Sequence, residues 1–350
     1  TGEMPMNEIV MQELWSKKFG FTANMTIFNA RSIPLLKNAY DNQDSADFNG
    51  RHQKNELLFA VAGAYYQVSS TKKMMDVAQD NLENAREFLK LSQTRKDVGQ
   101  ATKIDVLRAE TEVMRYEKEL KNAEDSMQLA KTGLAYLIGV KGDYDINEPD
   151  SVMAVNEGLD SLKQRALKDR LDLKVANLQK VMAERYRTEV WTQWIPVFDV
   201  TYNWSWASEE GFSGKNDSWR LIFGANWSIF DGGYRIADLF EKNSQTRMAK
   251  NQADQLSLNI REEVEKGKLA VVQQERNVEI ARKQLELAEE THNLVKRQYE
   301  LGMASSLDVL DASTRLSNAK SGLILEQLRY DIDALQLNKS VGIYNPLAND

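Results

Sequence analysis

One phrase of this sequence occurs twice. Gly99 to Ala109 reads G-Q-A-T-K-I-D-V-L-R-A and Gly302 to Ala312 reads G-M-A-S-S-L-D-V-L-D-A, with Gly, Ala, a hydroxyl residue, an aliphatic residue, Asp-Val-Leu and a closing Ala in the same order. The offset, 302 minus 99, is 203 residues, and without a gap it also pairs Ala78 with Ala281, Leu82 with Leu285, Leu120 with Leu323, Leu134 with Leu337 and Gly139 with Gly342. The chain is an internal duplication, so whatever its unit folds into is built twice.

Each copy of the phrase breaks a long helical pattern. From Ile33 to Asp97, apolar residues such as Leu57, Val61, Ala64, Val68, Ala78, Leu82 and Ala85 recur at spacings of three, four or seven, and Pro34 suits a first helical turn. As one helix, about 65 residues at about 1.5 Å each would run roughly 100 Å, so something equally long must pack beside it. Gly99 fits a left-handed helix end, and Thr102 with Asp105 fits the N-cap of a returning helix from Lys103 to Ile138. Each phrase therefore sits at the tip of a helical hairpin. The second copy predicts a helix from Tyr234 to Glu300 and a return from Ser306 to Val341.

Strands precede both hairpins. Phe19, Phe21, Ala23, Met25 and Ile27 alternate with small or polar residues, as do Phe198, Val200, Tyr202, Trp204 and Trp206, and again Trp219, Leu221, Phe223, Ala225, Trp227 and Ile229. Period two means one apolar and one wet face. The last two runs are expected to form an antiparallel hairpin. Thr22–Asn29 matches Gly224–Asp231 at an offset of 202, so strand and hairpin are duplicated together. The resulting layout is a loop and strand over 1–30, a hairpin over 31–140 with its tip near 99, a linker over 141–158, a helix over 159–192, a strand pair over 193–232, a second hairpin over 233–342 with its tip near 302, and a tail over 343–350.

Composition removes several function classes. With no cysteine and only His52 and His292, no thiolate metal site or disulfide framework exists. A net charge of −7 and a pI near 5.3 argue against nucleic acid as a partner. No nucleophile with its base, phosphate loop or cofactor motif emerges, so neither an enzyme nor a cofactor is expected. No apolar run reaches the roughly 18 to 20 residues of a transmembrane helix, which leaves a β-barrel open because barrel strands need only about 9 to 11. Tyr202, Trp204, Trp206, Trp219 and Trp227 on or near the apolar faces, with Trp191 and Trp194 just before the strands, are placed as interfacial girdles are. So few strands cannot close a barrel, and an open edge in lipid leaves backbone groups unpaired. Several copies must contribute. The alternative is a coiled-coil scaffold with a small β appendage.

The duplicated strand, long helix, G-x-x-[ST]-x-x-D-V-L tip and returning helix resemble the TolC-like outer-membrane factor family, the exit ducts of efflux pumps and type I secretion systems, over nearly the whole chain. That resemblance implies a mainly α fold with membrane β: a homotrimer whose hairpins form an α-barrel tube through the periplasm, joined to a shared twelve-stranded transmembrane β-barrel in the Gram-negative outer membrane. It implies a periplasmic adaptor and an inner-membrane transporter as partners, besides outer-membrane lipid. Compared with the second copy, the first is short of one helix and one strand at its N-terminus; truncation is expected to explain this, a differently built barrel being the alternative, and a signal peptide or lipidated cysteine could be lost with it.

The resemblance also assigns residues. Asp308 and Asp311 match the acidic constriction at the periplasmic mouth, where three copies make two carboxylate rings able to bind cations; alone, Asp308 also reads as a helix-start acid. Like charges so gathered are expected to raise some of their pKa values. Tyr299 matches a tyrosine that bonds to the neighbouring hairpin to hold the tube shut, and Asp105 matches one of its acidic partners. The basic partner of that lock is absent, because Ala304 stands there, and Lys103 or Arg297 is expected to replace it. Gly99, Ala101, Thr102, Gly302, Ala304 and Ser305 match the tip surface on which the adaptor sits.

Overall fold

The computed structural model describes residues 15–142, 144–208 and 214–343. In order these form β1 (Lys18–Phe28), α1 (Ser32–Asp97), α2 (Lys103–Ile138), α3 (Leu159–Asp169), α4 (Leu171–Thr192), β2 (Val197–Ala207), β3 (Asp217–Asn226), α5 (Tyr234–Glu300) and α6 (Ser306–Val341). The leading residues, part of the turn between β2 and β3, and the tail from 344 onward lie outside the described residues. The duplication is visible in the lengths: α1 and α5 have 66 and 67 residues, and α2 and α6 have 36 each. No described helix is long and apolar enough to cross a membrane.

The chain divides into two compact units, one of residues 1–46 with 176–253 and the other of 47–175 with 254–350. The first holds an antiparallel sheet in the order β1-β2-β3. Its register places Phe21 opposite Trp204 and Trp204 opposite Trp219, while Ala23, Tyr202 and Leu221 form the next row and Met25, Val200 and Phe223 the one after. The alternating apolar residues of three strands therefore merge into one face. That face is uncovered: Phe19, Phe21, Met25, Trp219 and Phe223 are all exposed. The opposite face is mostly polar, with Ile222 in the middle and Val197 and Ala207 at the ends of β2; Thr22 donates to Asn203 at 2.9 Å and the Ser205 and Ser218 hydroxyls are 2.9 Å apart. β3 stops at Asn226, short of the alternation that continues to Ile229, because its partner β2 begins only at Val197, after Pro196. The matching end of β1 runs on to Phe28 through a bulge that reaches Phe198.

The second unit holds both hairpins from Asp47 and Asp254 onward, tips included, and several small cores. Leu162, Ala166 and Leu173 pack with Ile260, Val264, Val271, Leu337 and Val341; Phe59, Ala62 and Tyr66 pack with Val152, Ala334 and Leu335; Leu82 and Ala85 pack with Tyr116. Fully burying a side chain such as Leu162, Ile260 or Leu337 contributes about 1.5–3 kcal/mol. The linker is an extended strap over the helices. Tyr65 and Tyr66 donate to the carbonyls of Asn147 and Asp150, and the Val152 and Val155 amides donate to Asp331 and Asn338.

The helix expected over 159–192 is two helices, not one. Arg170 between them has extended backbone (φ −59°, ψ 126°). No glycine or proline marks the break. Local and distant contacts hold it: the half-buried Arg170 guanidinium grips Asp172 through two bonds, of 3.1 and 2.6 Å, and pairs with Glu263 of α5, while Asp172 accepts from the Leu173 amide.

Candidate functional site

Both tips have the same construction. Gly99 and Gly302 have φ of +77° and +76°, a left-handed conformation that costs a residue with a side chain about 1–2 kcal/mol. The amides after them close the turn five residues back, Gln100 to the Arg95 carbonyl at 2.7 Å and Met303 to the Gln298 carbonyl at 2.8 Å. Each return helix then opens with a reciprocal capping box, Thr102 with Asp105 and Ser305 with Asp308. Gly99, Thr102, Gly302 and Ser305 are exposed and Ala101 and Ala304 half-buried. Around them stand apolar side chains: Val98, Ile104 and Leu107 on one tip, Leu301, Met303 and Leu307 on the other, each at least half exposed.

Two contacts join the tips. Ser306, in the first turn of α6, donates to the Asp105 carboxylate, and Arg95, in the last turn of α1, donates to the Tyr299 carbonyl at the end of α5. The Arg95 guanidinium also lies 4.6 Å from the centre of the Tyr299 ring, which packs against Phe88 at 5.3 Å. The cation beside Tyr299 is thus Arg95; Lys103 and Arg297 are exposed. Within the chain, Asp105 and Tyr299 belong to different contacts, because the Ser306 hydroxyl occupies the carboxylate while the Tyr299 hydroxyl is buried without a hydrogen-bond partner. Arg95 escaped the sequence reading because the 203-residue offset pairs it with Gln298, which gives no hint of charge. The available signal was its place in the last turn of α1, where cations suit the helix dipole.

The acids differ electrostatically. The Ser306 bond, and then the Thr102 amide and hydroxyl, hold Asp105 below the usual carboxylate range. The Ser305 hydroxyl and amide do the same for Asp308, so within one chain Asp308 is stabilised as the anion. Asp311 is largely exposed and accepts from Arg315 at 2.8 Å. Asp308, Asp311 and Arg315 line one groove between α5 and α6, on a different face of α6 from Val309 and Ser313. Among the described residues no group of three or more side chains could hold a metal within one chain. A carboxylate ring is a property of several copies.

These paired hairpins and the exposed apolar sheet define the protomer fold of an outer-membrane channel. The fold matches the outer membrane protein VceC of Vibrio cholerae, with a TM-score of 0.78 and 17% identity over 94% of this chain and 86% of that one. It also matches CusC, with a TM-score of 0.82 and 16% identity over 94% and 83%. The chain belongs to the outer membrane efflux protein family, whose model matches residues 6–140 and 162–343, both copies of the repeat. Relatives include nodulation protein T of Rhizobium leguminosarum bv. trifolii, 26% identical over 313 residues, and a probable efflux pump outer membrane protein, TtgC, of Pseudomonas putida, 24% identical over 336 residues. The chain spans 64% of the length of the first and 69% of the second. The family is one of channels, not enzymes.

Proposed function

We propose that this chain builds the outer-membrane exit duct of a tripartite efflux pump, three copies closing the sheet into a β-barrel and the hairpins into a periplasmic tube. The observation that carries the proposal is the sheet. Three strands present one continuous uncovered aromatic and aliphatic face, while β1 and β3 each pair on one edge only among the described residues. Such a face is stable in lipid, and lipid requires the edges to be closed by further strands. Export is passive, the driving force coming from an inner-membrane transporter reached through an adaptor. Relatives named as antibiotic and toluene efflux pump outer membrane proteins support small-molecule export, with protein export through a type I system as the other substrate class.

In this reading the tips are the periplasmic mouth. The Arg95–Tyr299 and Ser306–Asp105 contacts hold the second hairpin to the first in the closed duct, Asp308 and Asp311 face the pore, and the small and exposed apolar residues around Gly99 and Gly302 receive the adaptor. The test is conductance: the full-length protein, extracted from outer membranes, should run as a heat-resistant trimer and form discrete channels in planar bilayers. A detergent-free soluble monomer without conductance sinks the proposal in favour of the scaffold reading. Gly302→Val should then lower efflux while leaving the trimer and its conductance in place.

A further inference from the structure

Near the tips, α1, α2, α5 and α6 together enclose a cavity of about 260 Å³ that the export reading does not use. The apolar half of its wall is partly aromatic, with Phe88, Tyr116 and Tyr299, while His292 and Ser313 add neutral polar groups beside Asn81 and Asn84, whose amide nitrogens already donate to Ser317 and to the Asp80 carbonyl. The charges that reach it are mostly spent on each other: Lys296 lies 3.8 Å from Glu87, and Arg115 lies 2.6 Å from Glu112. Glu300, at the rim, faces solvent. Burial, then Lys296 and Lys320, lower the His292 pKa and keep its imidazole neutral. The Tyr299 ring forms part of the wall, yet its hydroxyl is buried with no partner, although the residue is only 5% exposed. Ser92 Oγ is likewise buried and unpartnered, one residue from the wall.

Size and polarity narrow the guest. An apolar cavity of about 150 Å³ holds benzene, so this one has room for two fused rings. An anionic guest would be desolvated with no unpaired cation to receive it, and a cationic one would meet only Glu300, whose exposure leaves it screened by solvent. A purely apolar guest would offer nothing to His292 and Ser313. Phe88, Tyr116 and Tyr299 supply ring faces and edges suited to an aromatic body. We propose that this cavity is a binding site for a small neutral aromatic molecule of one or two rings carrying a single hydroxyl or carbonyl group. Because all four helices line it, the guest joins one hairpin to the other. The site does not depend on whether the chain conducts.

The test titrates 1-naphthol into the purified full-length protein, reading naphthol fluorescence against a matched detergent blank. Saturable binding of one molecule per chain is expected, with naphthalene and 1-naphthalenesulfonate each weaker by about tenfold or more. Ser313→Phe or Leu316→Trp, which fill the cavity, should abolish binding at unchanged circular dichroism. Asp308→Asn with Asp311→Asn should leave it intact. Undiminished binding in a folded cavity-filling variant, loss of binding in the aspartate variant, or preference for the sulfonate would each overturn the assignment. Should both filled variants misfold, anomalous scattering from 4-bromo-1-naphthol in crystals decides: bromine between Phe88 and Ser313 supports the site, and bromine only elsewhere refutes it.

Discussion

Tyr299 separates two kinds of contribution from a single side chain. Its ring packs tilted against Phe88 and faces a guanidinium, its carbonyl accepts from that same Arg95, and its hydroxyl bonds to nothing. An unpaired buried hydroxyl is a cost rather than a contact, so Tyr299→Phe should leave thermal stability unchanged or raise it by about 1 kcal/mol. Arg95→Ala removes a charge-assisted bond and a cation–π contact and should lower stability by about 1–3 kcal/mol, with increased leak through the duct. Melting curves of the two variants decide: an equal loss in both would mean that the hydroxyl is engaged. The acids carry a second test at this scale. If Asp308 and Asp311 line the pore, divalent cations should block single-channel current, and Asp308→Asn with Asp311→Asn should abolish the block. Asp308 has its pKa lowered by Ser305, so its capping contribution is fully present above the ordinary value of 3.8 and is lost as pH falls through the lower folded value. Within a chain that sets the acid side of the block below the usual carboxylate range; repulsion between copies acts in the opposite direction.

At the scale of elements, the strap over 144–158 is held by a residue with the opposite linkage. Asp331 accepts from the Val152 amide at 3.0 Å, yet burial pushes its pKa up; burial, and then the Asp331 charge, push the neighbouring Tyr66 phenol up to about 12. A raised carboxyl favours the protonated folded state, so its stabilisation is greatest below pH 3.8 and declines as pH rises through the raised folded value. Asp331→Asn keeps the acceptor for Val152 and removes the charge. It should raise the melting temperature at pH 7 and leave it unchanged at pH 3, where the wild-type carboxyl is already neutral. A lower melting temperature at pH 7 would show that the anion itself is needed, for instance by Lys73 nearby. Elements of this kind divide by how legible they are in sequence. The four long helices and both tips follow from apolar spacing, Gly99, Gly302 and the hydroxyl–acid caps, all of them local signals repeated at one offset. The latch at Arg95 follows from a contact with Tyr299, far along the chain, and the break at Arg170 combines its grip on Asp172 with a pair to the distant Glu263, which no apolar spacing announces.

The whole molecule poses the question of which solvent its sheet faces. Phe223 sits 74% exposed in the apolar row with Val200 and Met25, and two-residue alternation puts Thr201, next to Val200, on the other face beside Asn24 and Ile222. In water these two positions would tolerate arginine about equally well, since both lie on an unburied surface. In an outer-membrane barrel they would not. An arginine on the lipid side near the bilayer midplane costs roughly 2–4 kcal/mol, whereas the lumen side is wet. Phe223→Arg should therefore sharply reduce the heat-resistant protein recovered from outer membranes, while Thr201→Arg should insert normally and alter conductance or ion selectivity instead. The paired result tests the face assignment independently of the hairpin tips. Equal insertion of both variants would return the sheet to a soluble role, and equal loss would mean that both faces are packed against protein.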